Sequence, residues 1–213
     1  MRIALIHALK HSIVPIEASF AKLWPEARLM NLLDDSLSAD LARDGRLTEG
    51  MTERFLSLGR YAVRTGADAI LFTCSAFGPC IEAVARAHVP MPVLKPNEAM
   101  IEQAAARGRR IGLLSTFAPT LASMPPEFPA SVELVPKLAE GALAALDRGN
   151  REEHDRLVAE ASRELSHCDL IALAQYSMAP AAARVAEASG RPVLTTPDSA
   201  VIKLKEMLSV DIG

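Results

Sequence analysis

The chain has no excess of basic residues and no long apolar run, and each shortage excludes a class of protein. Its 23 Lys and Arg residues stand against 26 Asp and Glu residues, a formal net charge of −3, so it lacks the basic surface that nucleic-acid binding requires. Its apolar stretches end well short of the ~20 residues that a membrane-spanning helix needs. The apolar start at 1–6 is followed by Lys10 and His11 and by no cleavage site for a signal peptide. We therefore expect a cytoplasmic protein that binds neither nucleic acid nor membranes.

Cysteine is also scarce. The three cysteines, Cys74, Cys80 and Cys168, fit neither a disulfide framework nor the paired spacing of a zinc site, so we expect reduced thiols. The glycines form no nucleotide-binding motif, and no cluster of His, Asp or Glu has metal-ligand spacing. The sequence therefore predicts neither a cofactor nor a metal. What the chain does have is a large apolar fraction, 50% of its residues, which is enough for a sizeable core.

The chain also repeats itself, with a period of about one hundred residues. Three pairs of segments match in pattern and in the same order: 2–8 with 110–116, 68–74 with 169–175, and 92–94 with 192–194. Chance produces any one such match easily, but three in order much less easily. The repeat indicates an internally duplicated protein.

Short apolar runs predict buried parallel strands in both halves, at 3–6, 69–72, 111–114 and 170–173. Apolar residues at helical spacing predict long helices between the strands of each half. This alternation predicts an α/β fold of two pseudo-symmetric lobes, each a short parallel sheet flanked by helices, with the active site in the cleft between them. We place the first lobe at 1–95 plus 198–213 and the second at 96–197.

In open parallel sheets, ligands bind beyond the carboxyl ends of the strands, which selects the residues that follow each predicted strand. In the first half these residues include His7, Thr73, Cys74, Ser75 and Asn97, and in the second half Ser115, Thr116, Gln175, Tyr176, Ser177, Thr195 and Thr196. Small hydroxyl and amide side chains near helix N-termini favour a small anion, most simply a carboxylate.

Cys74 is the candidate for chemistry, because it follows a predicted strand and precedes the helix that Pro79 opens. A helix N-terminus lowers the pKa of a thiol, so the thiolate could act as a nucleophile or a base. The alternative is an inert buried cysteine, which is how we interpret Cys80 and Cys168. His7 could tune Cys74 or bind an anion, and Tyr176 could donate its hydroxyl to a substrate or only line the site.

The sequence resembles the aspartate/glutamate racemase superfamily, which includes hydantoin racemases, maleate isomerases and arylmalonate decarboxylases. The resemblance covers essentially the whole chain, and the order and spacing of five segments make it specific. The segments are the strand at 2–6, the turn Thr73-Cys74-Ser75, and the stretches 95–99, 108–116 and 195–200.

The resemblance implies two pseudo-symmetric α/β lobes, a site between them and no cofactor. In the two-base members, one cysteine from each lobe flanks the α-carbon of the substrate. Cys74 occupies the first of these positions, and the duplication puts Gln175 at the second. An amide cannot act as a general acid near neutral pH, so this departure argues against ordinary two-thiol racemisation.

The leading hypothesis is a cofactor-independent racemase- or isomerase-type enzyme that acts on a small carboxylate or related carbon acid. Cys74 would act as base, proton donor or nucleophile, and Gln175 would orient the substrate. Hydroxyls and backbone N–H groups at Ser75, Ser115, Thr116 and Ser177 would form an oxyanion hole.

Racemase, cis–trans isomerase and decarboxylase chemistry all stay open at this stage. A non-catalytic carboxylate-binding protein that has lost the second cysteine is the alternative. Hydrolysis by a Cys/His pair is a third option, and it needs His7 within hydrogen-bond reach of Cys74. Apolar helices such as 55–63 would tolerate a homo-oligomer.

Overall fold

The computed structural model describes residues 1–210 and divides into two compact units. Of these residues, unit 1 contains Met1–Pro96 and 197–210, and unit 2 contains Asn97–Thr196. The last three residues of the predicted first lobe, 211–213, lie outside the described residues.

Strands and helices alternate along the chain. The strands are β1 (Arg2–His7), β2 (Arg28–Leu33), β3 (Ala69–Phe72), β4 (Val93–Leu94), β5 (Arg110–Ser115), β6 (Glu133–Leu138), β7 (Leu170–Leu173) and β8 (Val193–Leu194). The α-helices are α1 (Ile13–Leu23), α2 (Ser36–Asp44), α3 (Glu49–Arg64), α4 (Gly78–Ala87), α5 (Glu98–Arg107), α6 (Ala118–Ser123), α7 (Ala142–Asp147), α8 (Arg151–Ser162), α9 (Ala182–Ser189) and α10 (Thr196–Val210).

Each unit contains one four-stranded sheet in which all pairings are parallel. The strand order is β2-β1-β3-β4 in unit 1 and β6-β5-β7-β8 in unit 2, so the two sheets share one topology. The inner strands β3 and β7 are buried at every position, because helices cover both faces of a parallel sheet. The predicted α/β fold of two lobes, each a parallel sheet flanked by helices, is confirmed.

The edge strands β2 and β6 are only partly buried, so their sequences lack the apolar runs of the inner strands. β6 even contains Pro136, which an edge strand tolerates because one side of the strand carries no ladder hydrogen bonds.

Helix α10 packs within unit 1, although it follows unit 2 in the chain. Asp198 near its start accepts a hydrogen bond from Ser19 Oγ at 2.7 Å and pairs with Lys22 Nζ at 2.7 Å. Farther along, Lys205 Nζ donates to the backbone oxygen of Leu23 at 3.1 Å. These contacts join α10 to α1.

In unit 1, helices α3 and α4 approach each other closely. The ring of Phe55 on α3 lies 5.2 Å from that of Phe72 and 4.9 Å from that of Phe77, centroid to centroid. Gly59 permits this close approach, since a Cβ atom there would lie 2.7 Å from Val84 Cγ1 on α4.

Within residues 1–210, no helix has the length and apolar character needed to cross a bilayer.

We predict that Gly59→Ala lowers the free energy of unfolding by about 1 kcal/mol or more, because the overlap with the stiff side chain of Val84 outweighs the gain in helix propensity. Gly50→Ala on the same helix is the control. Its Cβ would meet only Thr48 Oγ1, at 3.8 Å, so it should raise the free energy of unfolding by about 0.5–1 kcal/mol. Urea unfolding of both variants measures the difference, and equal stabilisation by the two would contradict the close approach.

Candidate active site

The turn after β3 carries Cys74 at the carboxyl end of the unit 1 sheet. A single 3-10 turn, Ser75–Phe77, follows Cys74, and α4 then begins with Pro79 in its first turn. Cys74 is half-buried, whereas Cys80 and Cys168 are fully buried. Cys74 is therefore the one cysteine of the three with access to a ligand.

Burial raises the pKa of the Cys74 thiol from 9.0 to about 11. Hydrogen bonds with the backbone of Ala76 and the hydroxyl of Ser38 oppose this increase but do not cancel it. The expectation of a lowered pKa was therefore wrong, because desolvation of the thiolate outweighs the partial charges at the start of the helix. At neutral pH, Cys74 is a protonated thiol.

His7 ends β1 and belongs to a chain of hydrogen bonds that fixes its protonation. Asn31 Nδ2 donates to Glu17 Oε1 at 2.8 Å, so Asn31 Oδ1 is left to accept from His7 Nε2 at 2.9 Å. His7 Nδ1 then accepts the hydroxyl proton of Thr73 at 2.7 Å. Burial lowers the pKa of His7, although the Asn31 hydrogen bond and the Glu17 charge oppose the shift.

This chain of bonds has two consequences for the unit 1 site. Both nitrogens of the His7 ring are occupied by Thr73 and Asn31, so neither is left to form the Cys/His pair that hydrolysis would need. The hydroxyl of Thr73 gives its proton to His7 and can therefore only accept a hydrogen bond from a ligand. In this structure His7 thus orients the side chain of Thr73, the residue that precedes Cys74, through a hydrogen bond.

Gln175 occupies the equivalent turn after β7 in unit 2, and its amide orientation is fixed. Its Oε1 accepts three hydrogen bonds: from the Thr116 backbone N–H at 2.7 Å, from Thr116 Oγ1 at 2.9 Å and from Ser115 Oγ at 2.9 Å. A backbone N–H can only donate, so the amide oxygen and not the nitrogen must face it. Gln175 Nε2 makes no hydrogen bond to another described residue, so it is left as a donor for a ligand.

The remaining predicted residues lie at the same edges of the two sheets. Ser75 is buried directly after Cys74. Tyr176 is also buried, and burial raises the pKa of its hydroxyl, which therefore stays neutral. Asn97 precedes α5, with Nδ2 3.5 Å from Met124 Sδ. Its buried Oδ1 has no hydrogen-bond partner within residues 1–210, and neither does the hydroxyl of the fully buried Ser177.

Three residues near these edges, Asn31, Glu17 and Ser38, escaped the sequence-based choice of site residues. Asn31 and Glu17 orient His7, and Ser38 contacts Cys74 from α2. None of them follows a predicted inner strand, so the strand-end rule gives no signal for them. Thr196 was selected by the strand-end rule but given no role, and its buried hydroxyl has no partner among the described residues.

A family model described as Asp/Glu/Hydantoin racemase matches residues 16–204 of the chain. The chain belongs to this family. The resemblance seen in the sequence is thereby confirmed, and the protein is an enzyme of the racemase superfamily. A comparison with curated protein sequences gives no significant match.

Solved racemase structures share the fold at low sequence identity. Glutamate racemase from Francisella tularensis, in complex with D-glutamate, superposes with a TM-score of 0.77 at 13% identity, covering 99% of this chain and 81% of its own. Allantoin racemase from Klebsiella pneumoniae gives 0.69 at 16% identity, with 99% and 89% covered. An aspartate racemase homologue from Pyrococcus horikoshii gives 0.69 at 19% identity, with 98% and 99% covered. At these identities the likeness shows a shared fold.

We predict that Cys74 reacts slowly with iodoacetamide at neutral pH and that its alkylation rate rises with a midpoint near pH 11. Raising the pKa from 9.0 to about 11 reduces the thiolate fraction at neutral pH about 100-fold. Mass spectrometry of the labelled cysteine measures the rate. Cys74→Ala corrects for any reaction at the other two cysteines, and a midpoint below pH 8.5 would contradict a buried neutral thiol.

We also predict that the buried ring of His7 makes the protein less stable in mild acid. Its pKa lies below the ordinary value of 6.5, so the unfolded chain binds the proton more readily than the folded protein. The free energy of unfolding should therefore fall as the pH drops through 6.5. Urea unfolding at pH 7.5, 6.5 and 5.5 measures this slope, which His7→Gln should flatten. The control is the exposed residue His167, whose substitution by Gln should leave the slope unchanged.

Proposed function

We propose that this enzyme transfers a proton to one face of a carbanion formed beside a carboxylate, with Cys74 as the acid and without a cofactor. The observation that carries the proposal is a half-buried thiol, Cys74, whose pKa is raised by burial, combined with an amide, Gln175, at the duplicated position. A single acid of this kind can protonate one face of the carbanion. In the proposed reaction, therefore, only one face of the substrate receives a proton.

The protonation state of Cys74 favours one reaction among those that the family name allows. Two-thiol racemisation needs a second thiol, and addition of sulfur to an alkene needs a thiolate at the outset. Decarboxylation needs neither, because the electrons of the broken carbon–carbon bond form the carbanion without a base. We therefore propose decarboxylation followed by protonation as the reaction of this site.

The proposed step balances as follows. The bond between the α-carbon and one carboxylate breaks, CO2 leaves, and the electron pair is delocalised into the carbonyl group that remains on the α-carbon. The thiol of Cys74 gives its proton to the α-carbon, and the resulting thiolate takes a proton from water. The raised pKa of the thiol drives the last proton transfer, because the buried thiolate is unfavourable.

Gln175 would bind the substrate rather than exchange protons with it. Its oxygen is held by three donors, which leaves the N–H bonds of Nε2 to donate to a substrate oxygen. A small carboxylate is also the class of ligand held by the Francisella tularensis relative, which contains D-glutamate. We propose that Cys74 and Gln175 act on the same substrate.

The experiment is turnover in D2O, with 2-amino acids to detect exchange of the α-proton and 2-substituted malonates as the substrates for decarboxylation. We predict CO2 release with one deuterium incorporated into one face of the product, measured by NMR and chiral chromatography. Cys74→Ala should reduce the rate about 10²–10⁴-fold, the usual contribution of a general acid. Gln175→Cys should introduce a second thiol and lower the enantiomeric purity of the product or permit exchange of the α-proton.

The control is Cys80→Ala, which removes a buried thiol that the reaction does not use. It should leave turnover unchanged. Full activity in Cys74→Ala would contradict the role of the thiol. Tight binding of carboxylates with neither CO2 release nor α-proton exchange would instead favour the non-catalytic binding protein.

A further inference from the structure

Two buried hydroxyl groups in unit 2 lack a hydrogen-bond partner among the described residues. Ser177 Oγ belongs to a residue that is completely buried, and Thr196 Oγ1 to one that is 1% exposed. A buried hydroxyl without a partner destabilises a protein, so such groups are rare unless a ligand or water completes them. These two hydroxyls need an explanation.

Both hydroxyls follow neighbouring strands of the unit 2 sheet. Strands β7 and β8 are paired in parallel, and Thr196 lies two residues beyond the carboxyl end of β8, as the first residue of α10. Gln175 follows at once, and Ser177 comes two residues later in the 3-10 turn Tyr176–Ala181. Both hydroxyls therefore lie at the edge of the sheet that carries Gln175.

Gln175 Nε2 is a third group with unused hydrogen-bonding capacity at this edge. The other hydroxyls nearby are already engaged, since Ser115 and Thr116 both contact Gln175 Oε1. Ser115 and Thr116, two of the four residues expected to form the oxyanion hole, thus hold Gln175 in place. The donors left for a ligand are the amide of Gln175 and the hydroxyls of Ser177 and Thr196.

We propose that Thr196 and Ser177, together with Gln175 Nε2, bind a carboxylate group of the substrate. This inference rests on the proposed function and adds Thr196 to the site. The three side chains are neutral donors, which suit a planar monoanion with two acceptor oxygens. The ligand supplies the missing partners, so the cost of the unpaired hydroxyls is removed when it binds.

The test uses Thr196→Val and Ser177→Ala in a Cys74→Ser background, which prevents turnover. Malonate is the probe, and isothermal titration gives its dissociation constant. Each substitution removes a hydrogen bond to a charged group, so we predict at least about tenfold weaker binding. In the ligand-free protein, Thr196→Val should leave the Tm unchanged or raise it, because the lost hydroxyl had no partner.

The matched control is Ser189→Ala on α9, whose buried hydroxyl donates to the backbone oxygen of Val185 at 2.7 Å. It should lower the Tm and leave malonate binding unchanged. If Thr196 had a purely structural role, Thr196→Val would also lower the Tm and leave malonate binding unchanged. That result would overturn the proposal. Absence of malonate binding in the Cys74→Ser protein would overturn it too.

The outcomes also separate this inference from the proposed reaction. Unchanged malonate binding in Thr196→Val, with turnover abolished in Cys74→Ala, would overturn the carboxylate site and leave the reaction intact. Loss of binding in Thr196→Val, with full turnover in Cys74→Ala, would support the carboxylate site and overturn the role of the thiol.

Discussion

Parallel pairing of the strands is the constraint on which the candidate site depends. Because all pairings in each sheet are parallel, the residues that follow the inner strands meet at one edge. In unit 1 this brings His7 and Thr73 within hydrogen-bonding distance, and in unit 2 it brings Thr116 to Gln175. An antiparallel arrangement would send alternate strand ends to opposite edges and separate these pairs.

Burial then holds the titratable side chains of these edges in their neutral forms. It raises the pKa of Cys74, lowers that of His7 and raises that of Tyr176. The common cause is the cost of removing a charge from water. In the ligand-free protein these three side chains are therefore uncharged near neutral pH.

The fold was largely predictable from the sequence, because inner strands buried on both faces leave continuous apolar runs and the duplication repeats them. The edge strands β2 and β6 leave no such run, so their bounds could not be located. At the site, the strand-end rule selected Cys74 and Gln175. The rule gives no information about Ser38 on α2 or about the direction of the Cys74 pKa shift, because both depend on how separate elements pack.

The placement of α10 has a consequence for the order in which the protein folds during synthesis. Unit 2 is one continuous stretch, so the ribosome completes it before α10 emerges. Unit 1 stays incomplete until then, because Asp198 on α10 is the hydrogen-bond and ion-pair partner of Ser19 and Lys22 on α1. The half that carries Cys74 is therefore begun before unit 2 and completed after it, when α10 forms its contacts with α1.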